Sequence, residues 1–190
     1  MPRAESPRDL RNRSRIAQAA ARLIAEHGLT DWSAAKRKAC RELGLPDKEP
    51  LPANDEVEQA LRDYNSLFRS DAQPASLRQQ RRLAIEWMQR LASWQPILVG
   101  GVAAGWATPH SEVRLELEAE DAKSVELALI NAGIDYAVAP GDACELVAGR
   151  GDQTVRLQVV TPLQRRNRSR RDDDARIGPR ALAALLDGGV

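Results

Sequence analysis

Cysteine and long apolar segments are both scarce in this sequence, and each shortage excludes a class of protein. Among 190 residues only Cys40 and Cys144 are cysteines, and their wide separation excludes the closely spaced pairs of a zinc motif. We predict that both are small core residues. No segment approaches the roughly 18 apolar residues that a membrane-spanning helix needs, and residues 1–15 lack the apolar stretch of a secretory signal. We therefore expect a cytoplasmic protein with no membrane partner.

Net charge is also nearly absent. The chain carries 28 Lys and Arg residues against 27 Asp and Glu residues, a formal net charge of +1. A chain so balanced has no overall attraction for nucleic acid or for an anionic membrane, so any such affinity requires a local patch. Hydrophobic residues make up 43% of the sequence, which is ordinary for a globular protein with a core.

The first half of the chain has the apolar periodicity of helices. Residues 1–15 are rich in arginine and contain two prolines, and we expect a basic, partly disordered tail there. Over residues 16–95 apolar residues recur at intervals of three and four, which predicts a helical region of four amphipathic helices. Gly28, a proline-rich connector over residues 45–52 and a break at residues 71–74 separate these helices.

Residues 96–190 have the pattern of a sheet instead. Val113, Leu115 and Leu117 alternate with charged residues, which is the period of a strand with one buried face. Further short apolar segments predict four more strands, at residues 97–99, 134–139, 144–148 and 154–160. Helices are predicted over residues 121–131 and 179–186. The fold class is therefore predicted as α+β, with an N-terminal helical region followed by a small mixed β-sheet flanked by helices.

A glycine pair after the first strand is followed by a charged second strand. Gly100-Gly101 ends Ile97-Leu98-Val99, and Ser111-Glu112-Val113-Arg114-Leu115 follows after a short interval. This arrangement resembles the nucleotidyltransferase superfamily, in which a Gly-Gly or Gly-Ser turn opens a short helix and the second strand bears Asp-x-Asp. The likeness covers residues 87–161, less than half of the chain. It implies a nucleotidyltransferase-like domain over residues 96–190, with the glycine turn facing a phosphate.

The residues at the carboxylate positions depart from that family's pattern. Asp-x-Asp and a third acid from a later strand hold two divalent ions, because residues i and i+2 of a strand project from one face. Here Glu112 keeps one carboxylate, Arg114 is a permanent cation, and the later strand offers Arg156 and Gln158. One carboxylate cannot assemble a two-metal site. We therefore expect no catalytic residue and no cofactor, with a guanidinium paired to Glu112 in the place of a metal ion.

Several hypotheses about function stay open. The favoured one is a non-catalytic protein with a binding or regulatory role toward a nucleotide, another phosphate ligand or a protein partner. Its pocket would comprise Gly100, Gly101, Ser111, Glu112 and Arg114. The alternatives are an active nucleotidyltransferase that uses Glu112, magnesium and a further acid such as Glu116 or Asp152, or a strand face of ordinary solvated ion pairs. A homodimer is also left open.

A cluster of arginines follows the last strand. Five of the seven residues from Arg165 to Arg171 are arginines, and three aspartates come directly after them. The five are Arg165, Arg166, Arg168, Arg170 and Arg171. Such a cluster predicts either an RNA-contacting segment or a solvated loop that the aspartates neutralise.

Two wider resemblances concern the helical region. Residues 16–28 are similar to the first helix of tetracycline-repressor-type regulators, but prolines stand where the recognition helix of that family is required, so DNA binding is not expected. The arrangement as a whole, with Leu43-Gly44-Leu45-Pro46 as its connector, resembles uncharacterised proteobacterial proteins. In those proteins a helical region precedes a degenerate nucleotidyltransferase-like domain.

Overall fold

The computed structural model describes residues 7–27, 29, 31–46, 48–68, 72–167 and 175–188. The chain divides into two compact units, residues 1–75 with 108–111, and residues 76–107 with 112–190. The boundary predicted between residues 95 and 96 therefore lies too late. The reason is that Trp87 and Met88, from the last predicted helix of the helical region, are buried in the core of the sheet.

Three helices form the first unit, α1 (Pro7–His27), α2 (Trp32–Glu42) and α3 (Asn54–Phe68), and α1 packs against both of the others. The helix α1 begins at Pro7, so the tail predicted over residues 1–15 is wrong for residues 7–15. Proline is favoured in the first turn of a helix, and two side chains fix this part of α1. Arg13 Nη2 lies 2.7 Å from Glu56 Oε2, and Asn12 Nδ2 donates to Glu49 Oε1 at 2.7 Å.

Side-chain caps explain where two of these helices begin. Asp31 Oδ1 accepts the Ala34 amide at 3.0 Å and so caps the start of α2. At the start of α3, Glu56 Oε2 accepts the Ala53 amide at 2.7 Å, and this carboxylate satisfies a backbone donor ahead of the first turn.

The second unit contains a five-stranded mixed sheet with helices. Its strands are β1 (Ile97–Val99), β2 (Val113–Glu118), β3 (Tyr136–Val138), β4 (Glu145–Ala148) and β5 (Val155–Val160). Its helices are α4 (Ala72–Arg90, from Ser76 onward), α5 (Gly100–Ala104), α6 (Ala122–Asn131), α7 (Pro162–Arg166) and α8 (Pro179–Asp187). The strand order is β1-β2-β5-β4-β3; β2 and β5 are parallel, and the other neighbours are antiparallel. The α+β prediction with a mixed sheet is confirmed.

The core lies against one face of the sheet. Leu115, Leu146 and Leu157 are fully buried there, because alternate residues of each strand point to the same side. Cys40 is buried as predicted, but Cys144 is exposed, because it lies in the turn before β4, where its amide donates to Asp142 Oδ1 at 2.8 Å. Among the residues that the structure describes, no helix combines the length and the apolar character that a bilayer crossing requires.

Candidate functional site

The opposite face of the sheet is charged, and strand register assembles its side chains. Arg114 and Glu116 alternate with the buried leucines of β2. The parallel register sets Arg114 beside Arg156 of β5 and Glu116 beside Gln158. Glu145 of β4 is in register with Gln158 on the other side. Charged residues from three strands therefore meet on one surface.

Three of these side chains and that of Glu112, just before β2, form a cluster that we call the open cluster. Its members are Glu112, Arg114, Glu145 and Arg156. Arg156 binds Glu112 through two hydrogen bonds, from Nε to Oε2 at 2.8 Å and from Nη2 to Oε1 at 2.9 Å. Its Nη1 also lies 3.3 Å from Glu145 Oε1. Arg114 makes the loosest contact, with Nη2 at 3.7 Å from Glu145 Oε1 and a side chain 54% exposed. Arg114 is thus the most accessible cation of the cluster.

The pairing is strong enough to change the acidity of both main partners. The hydrogen bonds from Arg156 lower the pKa of the Glu112 carboxyl below its ordinary value; burial opposes this, and the charges of Arg156 and Arg114 add to the lowering. The same hydrogen bonds raise the pKa of the Arg156 guanidinium. The guanidinium that pairs with Glu112 is that of Arg156, which lies beside Arg114 in the strand register.

Glycine is required at both positions of the pair, at one because of packing and at the other because of the backbone conformation. Gly101 is the second residue of α5, and a Cβ there would lie 2.5 Å from the Trp106 ring, so only glycine lets the indole pack. Gly100 has φ of +71°, a conformation that favours glycine. A Cβ on Gly100 would lie 3.8 Å from Arg114 Cδ. Gly100 and Arg114 are therefore neighbours, and Gly101 packs against Trp106.

Ser111 has a role within its own turn. Its Oγ accepts the Thr108 amide at 2.9 Å and lies 3.3 Å from Thr108 Oγ1, while the Ser111 amide donates to the Thr108 carbonyl at 3.0 Å. These two residues belong to the first unit, whereas Gly100, Glu112 and Arg114 belong to the second. The structure thus brings together three of the predicted pocket residues around the open cluster and gives Ser111 a local structural task.

The carboxylates on this face do not fit a two-metal site. Two cations, Arg114 and Arg156, lie beside the Glu112 carboxylate on this face. In the described part of the chain, no group of three or more His, Cys, Asp or Glu side chains could hold a metal ion. The two further acids that an active enzyme would need, Glu116 and Asp152, lie outside the open cluster. Glu116 is 1% exposed and bound by arginines, and Asp152 lies in the 3-10 turn before β5.

A second set of charges on the same face, the sealed cluster, comprises Glu116, Glu118, Arg165 and Arg176. Arg165 Nε donates to Glu116 Oε1 at 3.0 Å, and its Nη1 lies 3.2 Å from Glu118 Oε2. Arg176 Nη1 donates to Glu116 Oε2 at 3.0 Å, and its Nη2 contacts Oε1. The cluster ties α7 and the segment before α8 to the middle of β2.

The sealed cluster bears on the predicted RNA-contacting arginines. Arg165 is turned inward, with a side chain 13% exposed, so it is not part of a solvated loop. Arg166 is exposed and donates from Nε to the Pro162 carbonyl at 3.3 Å. The other three, Arg168, Arg170 and Arg171, lie outside the described residues.

Sequence reasoning missed the partners contributed by neighbouring strands. Arg156 was noted as occupying an acid position, but its bond to Glu112 depends on a parallel register that no local pattern reveals. Glu145 is placed by the same register, through β4. Arg176 carries no sequence signal at all. A scan against protein-family models and searches of curated proteins and of solved structures found no match, so this site is interpreted from its residues.

Proposed function

We propose that this protein is a non-catalytic nucleotidyltransferase-like protein that binds a phosphate-bearing ligand, a nucleotide, at the open cluster without a metal ion. The observation that carries the proposal is an exposed guanidinium, that of Arg114, beside a second one, that of Arg156. The family resemblance implies a carboxylate at position 114, and a third acid at Arg156 or Gln158. Arg156 is held by Glu112 and Glu145. Arg114 is exposed and makes only a 3.7 Å contact, so its guanidinium can turn to a phosphate, which guanidinium groups bind in a bidentate manner.

The neighbouring carboxylates determine how much free energy is needed to rotate the Arg114 side chain toward a phosphate. Glu145 keeps its contact with Arg156 when Arg114 moves away, because Arg156 Nη1 lies closer to Glu145 than Arg114 does. A phosphate would replace a contact that is weak at this exposure. Gly100, next to the Arg114 stem, leaves space that a side chain would fill. The cluster is therefore suited to hold an anion and lacks the acids to activate a nucleophile with metal ions.

An active nucleotidyltransferase is less well supported by the same geometry. Of the two acids considered for it, Asp152 lies in the 3-10 turn before β5, and Glu116 is bound by Arg165 and Arg176. Releasing that carboxylate would leave two arginines without their main partner, which is costly in a buried site. The predicted cytoplasmic location belongs to the same proposal, because Cys40 and Cys144 are both free and a reducing compartment keeps thiols in that state.

The test is thermal unfolding of the protein with each nucleoside triphosphate, with and without magnesium or manganese. A ligand at about 100 times its dissociation constant adds roughly 2.7 kcal/mol to the free energy of unfolding, which raises the midpoint by a few degrees. We expect the shift without metal, its loss in Arg114→Glu and its partial retention in Arg114→Lys.

The matched control is Arg62→Ala, which removes a comparably exposed arginine of a surface ion pair in α3 and should leave the shift intact. A shift that requires metal, together with nucleotidyl transfer that Glu112→Gln abolishes, would establish the active enzyme instead. No shift with any nucleotide would contradict the proposed ligand class.

A further inference from the structure

The strand β3 is an edge of the sheet, and its outward backbone groups can be identified. It is the last strand in the order β1-β2-β5-β4-β3. The Ala139 amide donates to the Glu145 carbonyl at 2.8 Å, and the Gly149 amide donates to the Asp135 carbonyl at 2.9 Å. Backbone groups of an antiparallel pair alternate in direction along the strand. Residues 135, 137 and 139 therefore face β4, and the amides and carbonyls of Tyr136 and Val138 face the open edge.

The side chains along this edge are mostly uncharged and apolar. Val138 is 47% exposed, and Ala137 is exposed. Tyr136 Oη donates to Glu126 Oε2 at 2.8 Å, so that side of α6 lies over β3. Ile130, one turn further along α6 on the same side, is 58% exposed. The three strand residues include no lysine or proline, the residues that usually protect an exposed edge from pairing.

We propose that β3 pairs with β3 of a second copy of this chain, in an antiparallel arrangement with a two-fold axis at Ala137. The axis sets Tyr136 of one copy opposite Val138 of the other. Each such pair exchanges two backbone hydrogen bonds, so four outward groups on each copy are satisfied together. The same pairing places the Tyr136 ring against the Val138 side chain, and aromatic residues opposite β-branched residues stabilise neighbouring strands.

Charge on α6 favours a second copy of the same chain over an unrelated strand. Glu126 lies level with Tyr136 because the two are hydrogen-bonded. Lys123 is three residues earlier and exposed, about 4.5 Å along the helix toward the Val138 end. The two-fold axis carries Glu126 of the partner to the Val138 end as well. Lys123 and the partner's Glu126 then come within about 3 Å of the same height along the strand, so opposite charges face each other twice.

The test is sedimentation equilibrium of the full chain over a wide range of concentrations. We expect reversible association to twice the monomer mass. Val138→Pro removes an amide that points to the open edge and leaves the amides bonded to β4, so it should raise the dissociation constant at least about tenfold. Val138→Lys, which leaves the backbone unchanged, should have the same effect if the proline variant does not fold. Leu163→Lys is the matched control, because Leu163 is 61% exposed on α7.

A charge exchange tests the register of the proposed dimer. Lys123→Glu and Glu126→Lys should each weaken association, because like charges then face each other, and the double variant should restore it. A chain that stays monomeric at every concentration would overturn the proposal and leave the β3 edge to another protein. Association that is unchanged in a folded Val138 variant, or that Leu163→Lys abolishes, would place the interface elsewhere. A double variant no better than the single ones would contradict the two-fold axis at Ala137.

Discussion

The two charged clusters lie on the same face of one sheet, and burial separates their roles. Both contain two glutamates and two arginines, and both include a glutamate at or next to β2 that binds a guanidinium through two oxygens. The Glu112 side chain is 45% exposed, whereas the Glu116 side chain is 1% exposed. Exposed ion pairs contribute little to stability and can exchange partners. A buried carboxylate cannot lose its partners without a large cost.

This contrast decides where a ligand can bind. An anion that enters the sealed cluster would have to displace Glu116 from Arg165 and Arg176, which hold α7 and the segment before α8 to β2. An anion at the open cluster has only to compete with a 3.7 Å contact between Arg114 and Glu145. One set of charges thus fixes the fold, and the other is the set at which we propose that a phosphate binds.

The largest predicted effect breaks the sealed cluster. Glu116→Gln removes the negative charge between two arginines and keeps the shape of the side chain. Loss of one partner from a buried ion pair costs on the order of 3 kcal/mol, so the free energy of unfolding should fall by about that amount. Urea unfolding at neutral pH measures it.

The matched variant in the open cluster is Glu112→Gln, which should cost less than about 1 kcal/mol under the same conditions. Adding about 1 M salt sharpens the difference, because the screening length then falls to about 3 Å and exposed charges are screened more than buried ones. The cost of Glu112→Gln should shrink in salt while that of Glu116→Gln stays. Equal costs for the two variants would contradict burial as the deciding factor.

A smaller change in the free energy of unfolding is predicted for Arg165 and Arg166, two adjacent residues of the arginine cluster, and it should differ between them. Arg165→Ala removes the hydrogen bond to the Glu116 carboxylate and the ion pair with Glu118. It should cost about 2 kcal/mol, since hydrogen bonds to charged groups contribute about 1.5–3 kcal/mol. Arg166→Ala, at an exposed position, should change the free energy of unfolding by less than about 0.5 kcal/mol. Denaturant unfolding of both variants measures the difference. A large cost for Arg166→Ala would show that the two arginines share one structural role.

Local sequence patterns predict the elements of this fold well, because most of them depend on neighbouring residues. The alternation in β2 is local, and it is confirmed. The start of α1 was missed because its first turns are held by Glu49 and Glu56, which are distant in sequence. The short helix α7 was also missed, although Thr161 and Gln164 form a capping box that marks its start.

The candidate site is only half predictable for the same physical reason. Gly100, Glu112 and Arg114 follow one another along the chain, so a motif can point to them. The partner of Glu112 is fixed by the parallel pairing of β2 with β5, and Glu145 is fixed by the next strand pair. Strand register depends on contacts between segments far apart in sequence. A motif therefore locates the cluster but does not determine which guanidinium binds which carboxylate.

The smallest predicted effect is the dependence of the open cluster on pH. Because the pKa of Glu112 is lowered in the folded protein, the ionised carboxylate stabilises the fold above its unfolded pKa, near the ordinary value of 4.5. That contribution is lost as the pH falls through the lowered, folded value. The difference in free energy of unfolding between the wild-type chain and Glu112→Gln should thus be constant near neutral pH and decline below about pH 4.5.

Urea unfolding at several pH values measures this difference, which exposure keeps below about 1 kcal/mol. Arg156→Met supplies the control, because the hydrogen bonds from Arg156 are the main cause of the lowered pKa of Glu112. In that background Glu112→Gln should lose most of its pH dependence. If the dependence persists without Arg156, another cation holds the carboxylate. Arg114 would be the first candidate, since its charge also lowers the pKa of Glu112, and it would then be less available to a phosphate than the open cluster requires.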